Sequence, residues 1–433
     1  MTAVNVLDVT RGHESTAANT FSLVDDPPVV VRAEGATLFD AAGREYVDLV
    51  CGSAVSNYGH GVPWQRAAIE AVLQSGYLHT GTRLPSPFRA DFYACLSEIL
   101  PRTLTHFQLA NSGSEAVEAA LKVAQYATGR SGVISFFGGY HGRTMGALAT
   151  TASAKARRGF DARPFNVHFF PYPYTARSPF PSAPGEELGS ACLEFLRRAL
   201  ENPASGVVGV SALIVEAVQG VSGVVIPPKG FIKGLRDICT EFGILMIVDE
   251  IWNGFGRAGQ WFAFERDDVV PDLVVFGKAA SASLPLSGVA GSVDLLGQWP
   301  PGSHTSTFQG NPLSCAVAAE NIRQAKKLNL IERCREWVEP ALRDIGEAAS
   351  DVRGVGEFRV AGAQLGIELQ TDSGAPDKER VAAVQRAALR AGALVYGGGW
   401  YSNVLMLVPP LTISSGEMTR AKEAVMRALE ETA

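Results

Sequence analysis

Four apolar, strand-like runs in this chain end on groups that can do chemistry. Leu273-Val274-Val275-Phe276 is followed, after one glycine, by Lys278, in the stretch PDLVVFGKAASASLPLSG. Ala212-Leu213-Ile214-Val215 runs into Glu216, Ile244-Leu245-Met246-Ile247-Val248 into Asp249, and Val133-Ile134-Ser135-Phe136-Phe137 into Gly138-Gly139-Tyr140-His141-Gly142. A lysine where a buried strand ends is partly stripped of water, sheds its proton more readily and becomes a nucleophile suited to a Schiff base. One such lysine is more often a solvated surface charge. The group matters because ligands of open α/β sheets collect at the carboxyl ends of strands. Asp249 closes a buried run and needs a partner, which a cationic ring nitrogen, a backbone amide or an arginine can each supply. Glu250, next to it, reads as a supporting or helix-start charge. Tyr140 and His141 follow two glycines that let the backbone approach a ligand, so one ring can stack on a flat cofactor, although lone aromatic pairs usually belong to a core. No second ligand stands at metal spacing from His141, so no metal is expected.

The run Asn111-Ser112-Gly113-Ser114-Glu115-Ala116 precedes a helical pattern with Val117, Leu121 and Ala124 on one face and Gly129 as its stop. Small residues at a helix start leave N–H groups free for a phosphate, and an ordinary serine cap explains the same residues. It is not a nucleotide P-loop, because no Gly-Lys-Ser/Thr follows. Gly254-Phe255-Gly256-Arg257-Ala258-Gly259 has the glycine spacing of a nicotinamide-dinucleotide fingerprint, but Gln260-Trp261-Phe262-Ala263-Phe264 and Pro271 follow where a helix and an acidic residue belong. The hydroxyls of His304-Thr305-Ser306-Thr307-Phe308-Gln309-Gly310-Asn311-Pro312 suit a phosphate or a helix cap, and the cap is the simpler reading.

The elements that must position these groups follow from the pattern. From Ser112 to about Val293 strand-like runs alternate with helical ones, such as Glu115 to Ala127 and Lys233 to Phe242, which implies parallel βαβ units in an α/β domain. Before it, after a polar stretch to about Asp26, Val29–Val31, Thr37–Phe39 and Tyr46–Val50 read as a small antiparallel element. After about Asn311, a long helical pattern through Glu339 opens an α+β region that ends on Gly416 to Glu431. Phe170-Pro171-Tyr172-Pro173 and Ser178 to Gly185 are rich in proline and read as an exposed loop.

At 433 residues and 46% hydrophobic content, the chain can bury a large core. A net charge of -6 without basic clusters excludes a nucleic-acid footprint. Cysteines 51, 95, 192, 239, 315 and 334 form no CxxC pair and fit thiols in a reducing compartment. MTAVNVLDVTRGHE lacks a basic region followed by an apolar one, and no apolar run approaches ~18 residues, so a soluble cytoplasmic enzyme is expected, with no membrane partner.

In order, NSGSEAVEAALK, GGYHGRT, EAVQG, DEIWNGFGRAGQWFAFE, PDLVVFGK, HTSTFQGNP and VPPLTI resemble the class III aminotransferases, and the resemblance covers nearly the whole chain. It implies dependence on pyridoxal 5'-phosphate and fold type I: an α/β large domain with a mostly parallel sheet over residues 51–310, and a smaller α+β domain made of residues 1–50 and 311–433. It implies a homodimer with shared active sites. By the same resemblance Lys278 would form the internal aldimine and shuttle a proton, and Asp249 would pair with the pyridine nitrogen. Gly113 and Ser114 would hold the phosphate, Tyr140 and Ile251 would flank the ring, His141 would belong to the cofactor shell, Glu216 would support the Asp249 side, and Thr307 would reach the neighbouring subunit's phosphate.

Departures bear on the substrate. Trp252 stands where many members have a glutamine that contacts the ring hydroxyl, and Ser281-Ala282-Ser283 replaces the usual glycine run after the lysine. Val221 and Met406 replace the glutamate and arginine that form the carboxylate switch of ornithine-type members. A substrate carboxylate is therefore not expected against Val221 and Met406; Arg83 and Arg143 are the nearest cations by motif position. The expected reaction is transfer of an amino group between an amino compound and an oxo acid, with the regions around EAVQG and HTGTRLPSPF most similar to the diaminobutyrate-type branch. A racemase or epimerase acting on an amino acid or amino amide is the alternative, and a nicotinamide-dependent dehydrogenase a remote one.

Overall fold

The computed structural model describes residues 3–18, 27–79, 81–160, 164–180, 183 and 185–433. Strands β1 (Val30–Glu34), β2 (Thr37–Asp40) and β3 (Glu45–Asp48) open the chain after a helix over Ala3–His13. The long central stretch supplies β4 (His106–Ala110), β5 (Gly132–Phe136), β6 (Val167–Phe170), β7 (Val210–Val215), β8 (Leu245–Asp249), β9 (Leu273–Phe276) and β10 (Ser287–Gly291). The last third adds β11 (Val355–Val360), β12 (Leu365–Leu369), β13 (Ala393–Leu394), β14 (Tyr396–Gly398) and β15 (Val404–Leu407).

The central sheet has the order β4-β10-β9-β8-β7-β5-β6. Strands β9, β8, β7, β5 and β6 pair in parallel, and β10 runs antiparallel to both β9 and β4. Sheets covered by helices on both faces need strands that are apolar on both faces. The runs in β5, β7 and β9 are buried along their whole length. The helix Gly113–Thr128 starts on the Ser112 hydroxyl, which accepts from the Glu115 amide at 3.3 Å, and stops at Gly129 with φ +66°. Its buried side is mostly alanine, with Val117, Leu121 and Val123, so it lies close to the sheet; burying each of the three larger side chains contributes about 1.5–3 kcal/mol. The helix Phe231–Phe242 buries Phe231, Ile232, Leu235, Ile238 and Cys239 on the opposite face of the sheet.

Two smaller sheets flank this core: β1-β2-β3-β13 and β11-β12-β15-β14. In the first, β13 pairs in parallel with β3, so segments some 345 residues apart in the chain share one sheet. All six cysteines are free and buried. Among the described residues no helix is long and apolar enough to cross a membrane.

The proline-rich stretch at 170–173 is not an exposed loop. Phe170 is the last residue of β6, and Pro171 to Tyr174 are buried. Proline removes an amide that would otherwise need a partner, and the Tyr172 hydroxyl donates to the Glu216 and Ala217 carbonyls at 3.2 Å each. Its ring meets Phe231 edge-on at 5.5 Å. Of the Ser178–Gly185 loop, residues 181, 182 and 184 lie outside the described residues, as do 19–26 of the N-terminal stretch and Thr80.

Candidate active site

The C-terminal ends of β4, β5, β7, β8 and β9 open on one cavity of about 200 Å³. After β9, Lys278 adopts a left-handed backbone, φ +41°, and so does Ala282 in the Ser281-Ala282-Ser283 turn, φ +59°. Non-glycine residues held there are strained, and such strain gathers at functional sites. Lys278 lines the cavity, and its burial pushes the amine down to about 8, against upward pulls from Asp249 and Glu216. Its Nζ lies 4.4 Å from the centre of the Trp252 ring.

Asp249 ends β8 and is buried. Its Oδ2 lies 2.8 Å from Nδ1 of His141, and its Oδ1 accepts from the Ile251 amide at 3.0 Å. This carboxylate is oriented from two sides with acceptor capacity left over. Glu216 accepts from the Tyr140 amide at 2.9 Å and the Gly220 amide at 3.2 Å, and burial pushes it up to about 7. It fixes the loops that carry Tyr140 and Val221. Glu250, fully buried, accepts from the Ala263 and Phe264 amides, the helix-start use expected of it.

At the end of β4, Gly113 and Ser114 present the first turn of their helix to the cavity. A Cβ on Gly113 would stand 2.7 Å from Cδ1 of Ile251, so only glycine keeps this helix start beside Ile251. First-turn amides without helical partners attract an anion. The pocket therefore offers an anion seat, a buried amine, a buried carboxylate, and Tyr140 and Ile251 as flanks. These residues fit a flat phosphorylated ring with a carbonyl for the lysine and a basic nitrogen for the aspartate.

A second cavity of about 520 Å³ shares Tyr140 and Val221 with the first and adds Arg143, Lys155, Tyr396 and Trp400. Arg143 donates from Nε to the Tyr140 hydroxyl at 3.0 Å. Arg83 is exposed and lines neither cavity. Met406, fully buried in β15, packs with Trp252 and Val221 behind the wall instead of lining it. Thr307 is exposed on a loop tied to the Gly113 helix start by the Asn111 side chain, which donates to Ser306 Oγ at 2.8 Å. The cap of the following helix is Asn311, whose Oδ1 accepts from the Leu313 amide at 3.0 Å, so the loop hydroxyls are not needed for it.

The Gly254–Gly259 run opens no helix. It forms turns in which Arg257 is fully buried and bonded to the Ala363 and Pro409 carbonyls and to Asn57, which leaves no dinucleotide cradle. Trp252 turns its indole N–H away from the cavity to Gln364 Oε1 at 2.9 Å. Sequence reasoning missed Tyr396, Trp400 and Gln364; the three glycines 397–399 before Trp400 were the one local sign of a close backbone approach. Among the described residues no group of three or more His, Cys, Asp or Glu could hold a metal ion.

The family model described as aminotransferase class-III matches residues 22–429. The diaminobutyrate–2-oxoglutarate aminotransferase of Rhizobium meliloti (strain 1021) is 34% identical over 417 residues, covering 93% of this chain and 88% of that one. The acetylornithine aminotransferase of Methanopyrus kandleri is 37% identical over 413 residues, covering 95% of this chain and 96% of its own. The crystal structure of an (S)-enantioselective omega-transaminase from Thermomicrobium roseum superposes with a TM-score of 0.91 at 29% identity, over 100% of this chain and 99% of that one. The chain belongs to the class III aminotransferases, fold type I enzymes that use pyridoxal 5'-phosphate to move an amino group between an amino compound and an oxo acid.

Proposed function

We propose that Lys278 is the lysine through which this aminotransferase holds pyridoxal phosphate, with Asp249 on the pyridine nitrogen and the Gly113 and Ser114 amides on the phosphate. The observation that carries this reading is the convergence of all three on one cavity of about 200 Å³. When bound, the cofactor supplies a conjugated cationic ring that draws electrons from the substrate α-carbon. The buried Asp249 keeps a proton on the ring nitrogen. Tyr140 and Ile251 confine the ring, and Lys278 Nζ accepts a proton from the substrate α-carbon and delivers it again.

The substrate enters through the outer cavity. Val221, Trp252 and Tyr396 make one wall apolar and aromatic, where an unpaired carboxylate would be costly. Arg143 stands at the mouth beside Tyr140 and is the cation that meets a substrate carboxylate. The donor is thus an amino acid whose carboxylate turns to Arg143 and whose other end is neutral or apolar. Half-reactions with L-glutamate, L-alanine, a diamine and a neutral amino amide, read from the visible absorbance of the bound cofactor, test this. Arg143→Ala should slow the two carboxylate-bearing donors by roughly 30-fold or more and spare the amide. If glutamate reacts fastest and is untouched by the substitution, this pocket assignment is wrong. Exchange of the α-proton without release of an oxo acid would instead mark a racemase or epimerase.

The same reading makes the enzyme a homodimer with shared sites. Exposed Leu78, Leu84 and Phe308, the last of them next to Thr307, support it. Pairing of β13 with β3 supports one small domain from residues 1–50 and 311–433 around a large one over 51–310. Six free thiols suit the cytoplasm, which cell fractionation checks.

A further inference from the structure

Trp252 stands where the family resemblance leads one to expect a glutamine, and it does not do a glutamine's work. Its only polar atom is turned from the cavity, toward Gln364. Gln364 in turn donates to Asn253 Oδ1 at 3.0 Å, and Asn253 donates to the Val218 carbonyl at 2.6 Å. Trp252, Gln364 and Asn253 are all buried, so this chain fixes the indole plane. On one side the ring lies across Gly220, where any Cβ would collide with it. Tyr396 meets the ring edge-on at 6.1 Å. The Lys278 amine stands 4.4 Å from the ring centre.

We propose that Trp252 is a positioning residue whose indole face holds the cationic form of the Lys278 amine once that amine is free of the cofactor. The proposal rests on Lys278 being the cofactor lysine. During turnover the freed amine must carry a proton inside a small cavity, where burial alone favours the neutral form. The carboxylates that face it are Asp249, already bonded to His141 and Ile251, and Glu216, already bonded to two amides. Arg257, fully buried with carbonyl and amide oxygens as its partners, repels it. An aromatic face attracts an ammonium within about 6 Å without needing a free acceptor. Trp252 thereby offers the protonated amine a resting place that draws on neither carboxylate.

The test reads the amine directly, in full-length protein freed of cofactor. Lys278 is acylated with a small water-soluble reagent across pH 6–11, and the modified peptide is quantified by mass spectrometry; the midpoint of the rate profile reports the amine and is insensitive to changes in access. Trp252→Leu should lower that midpoint by about half to one and a half pH units, with Trp252→Phe falling between. Because the leucine variant can lose its fold, the same profile is taken on wild-type protein grown with increasingly fluorinated tryptophans, which keep the ring's shape and weaken its face. The midpoint should fall stepwise with fluorination in the wild type and stay fixed in Trp252→Phe. A midpoint unmoved by fluorination, or equal in wild type and Trp252→Leu, overturns the proposal. Borohydride reduction of the loaded enzyme, followed by peptide mapping, separately identifies the cofactor lysine; a different lysine there would overturn the assignment of Lys278 itself.

Discussion

His141 Nδ1 lies 2.8 Å from Asp249 Oδ2, with both side chains almost fully removed from solvent. The contact joins the loop after β5 to the end of β8, 108 residues apart in sequence. The contact uses one carboxylate oxygen and the Ile251 amide uses the other, so His141 orients Asp249 and leaves lone pairs free toward the cavity. A buried carboxylate so held is the partner that a protonated ring nitrogen needs.

Asp249→Asn should therefore keep the shape of the site and the bound cofactor while turnover falls by about two orders of magnitude, because a neutral amide cannot keep the ring nitrogen protonated. Cofactor content by absorbance and turnover on the same preparation check this. Equal turnover in variant and wild type would remove Asp249 from the role given to it.

Burial pushes the Lys278 amine down to about 8 from its ordinary 10.5, and only the neutral amine attacks a carbonyl. Since the folded protein's amine releases its proton at lower pH than a free lysine, the reactive form accumulates as pH rises, reaches one half near 8 and is nearly complete about one unit higher. Capture of pyridoxal phosphate by cofactor-free protein should quicken nearly tenfold per pH unit between roughly 6 and 7.5 and level off above roughly 9. Stopped-flow absorbance follows it. A rate that keeps climbing to pH 10 would mean that the amine is not desolvated.

The strands that carry the site were legible because each is a short, uninterrupted apolar run, and a run buried on both faces must end where polar residues begin. Lys278, Asp249 and Glu216 stand at such ends, and the structure brings them to one cavity. What lay beyond the sequence was long-range pairing. Trp252 and Gln364 are 112 residues apart, and Gln219 and Trp400 181 apart, with no periodicity to announce either bond. Met406 was misplaced for a related reason: every residue of β15 is buried, so no alternation tells which side chains face the cavity and which face the packing behind it. Tyr172 was misread because proline content describes only the missing amides, and says nothing of a hydroxyl that satisfies two carbonyls from within.

Thr307 is exposed and lines neither cavity of its own chain, while its loop is bonded through Ser306 to Asn111, next to the helix start that faces the cavity. A residue so placed can serve a phosphate only across an interface between two copies. Mixing Lys278→Ala protein with protein carrying Thr307→Val and Ser306→Ala should then restore activity in mixed dimers, since one of the two shared sites receives an intact lysine and an intact loop. About a quarter of the wild-type rate is expected if subunits exchange at random, because half the dimers are mixed and each has one good site of two. Exchange is followed independently with differently tagged subunits. Mixed dimers that form and stay inactive would place Thr307 outside the site of either subunit.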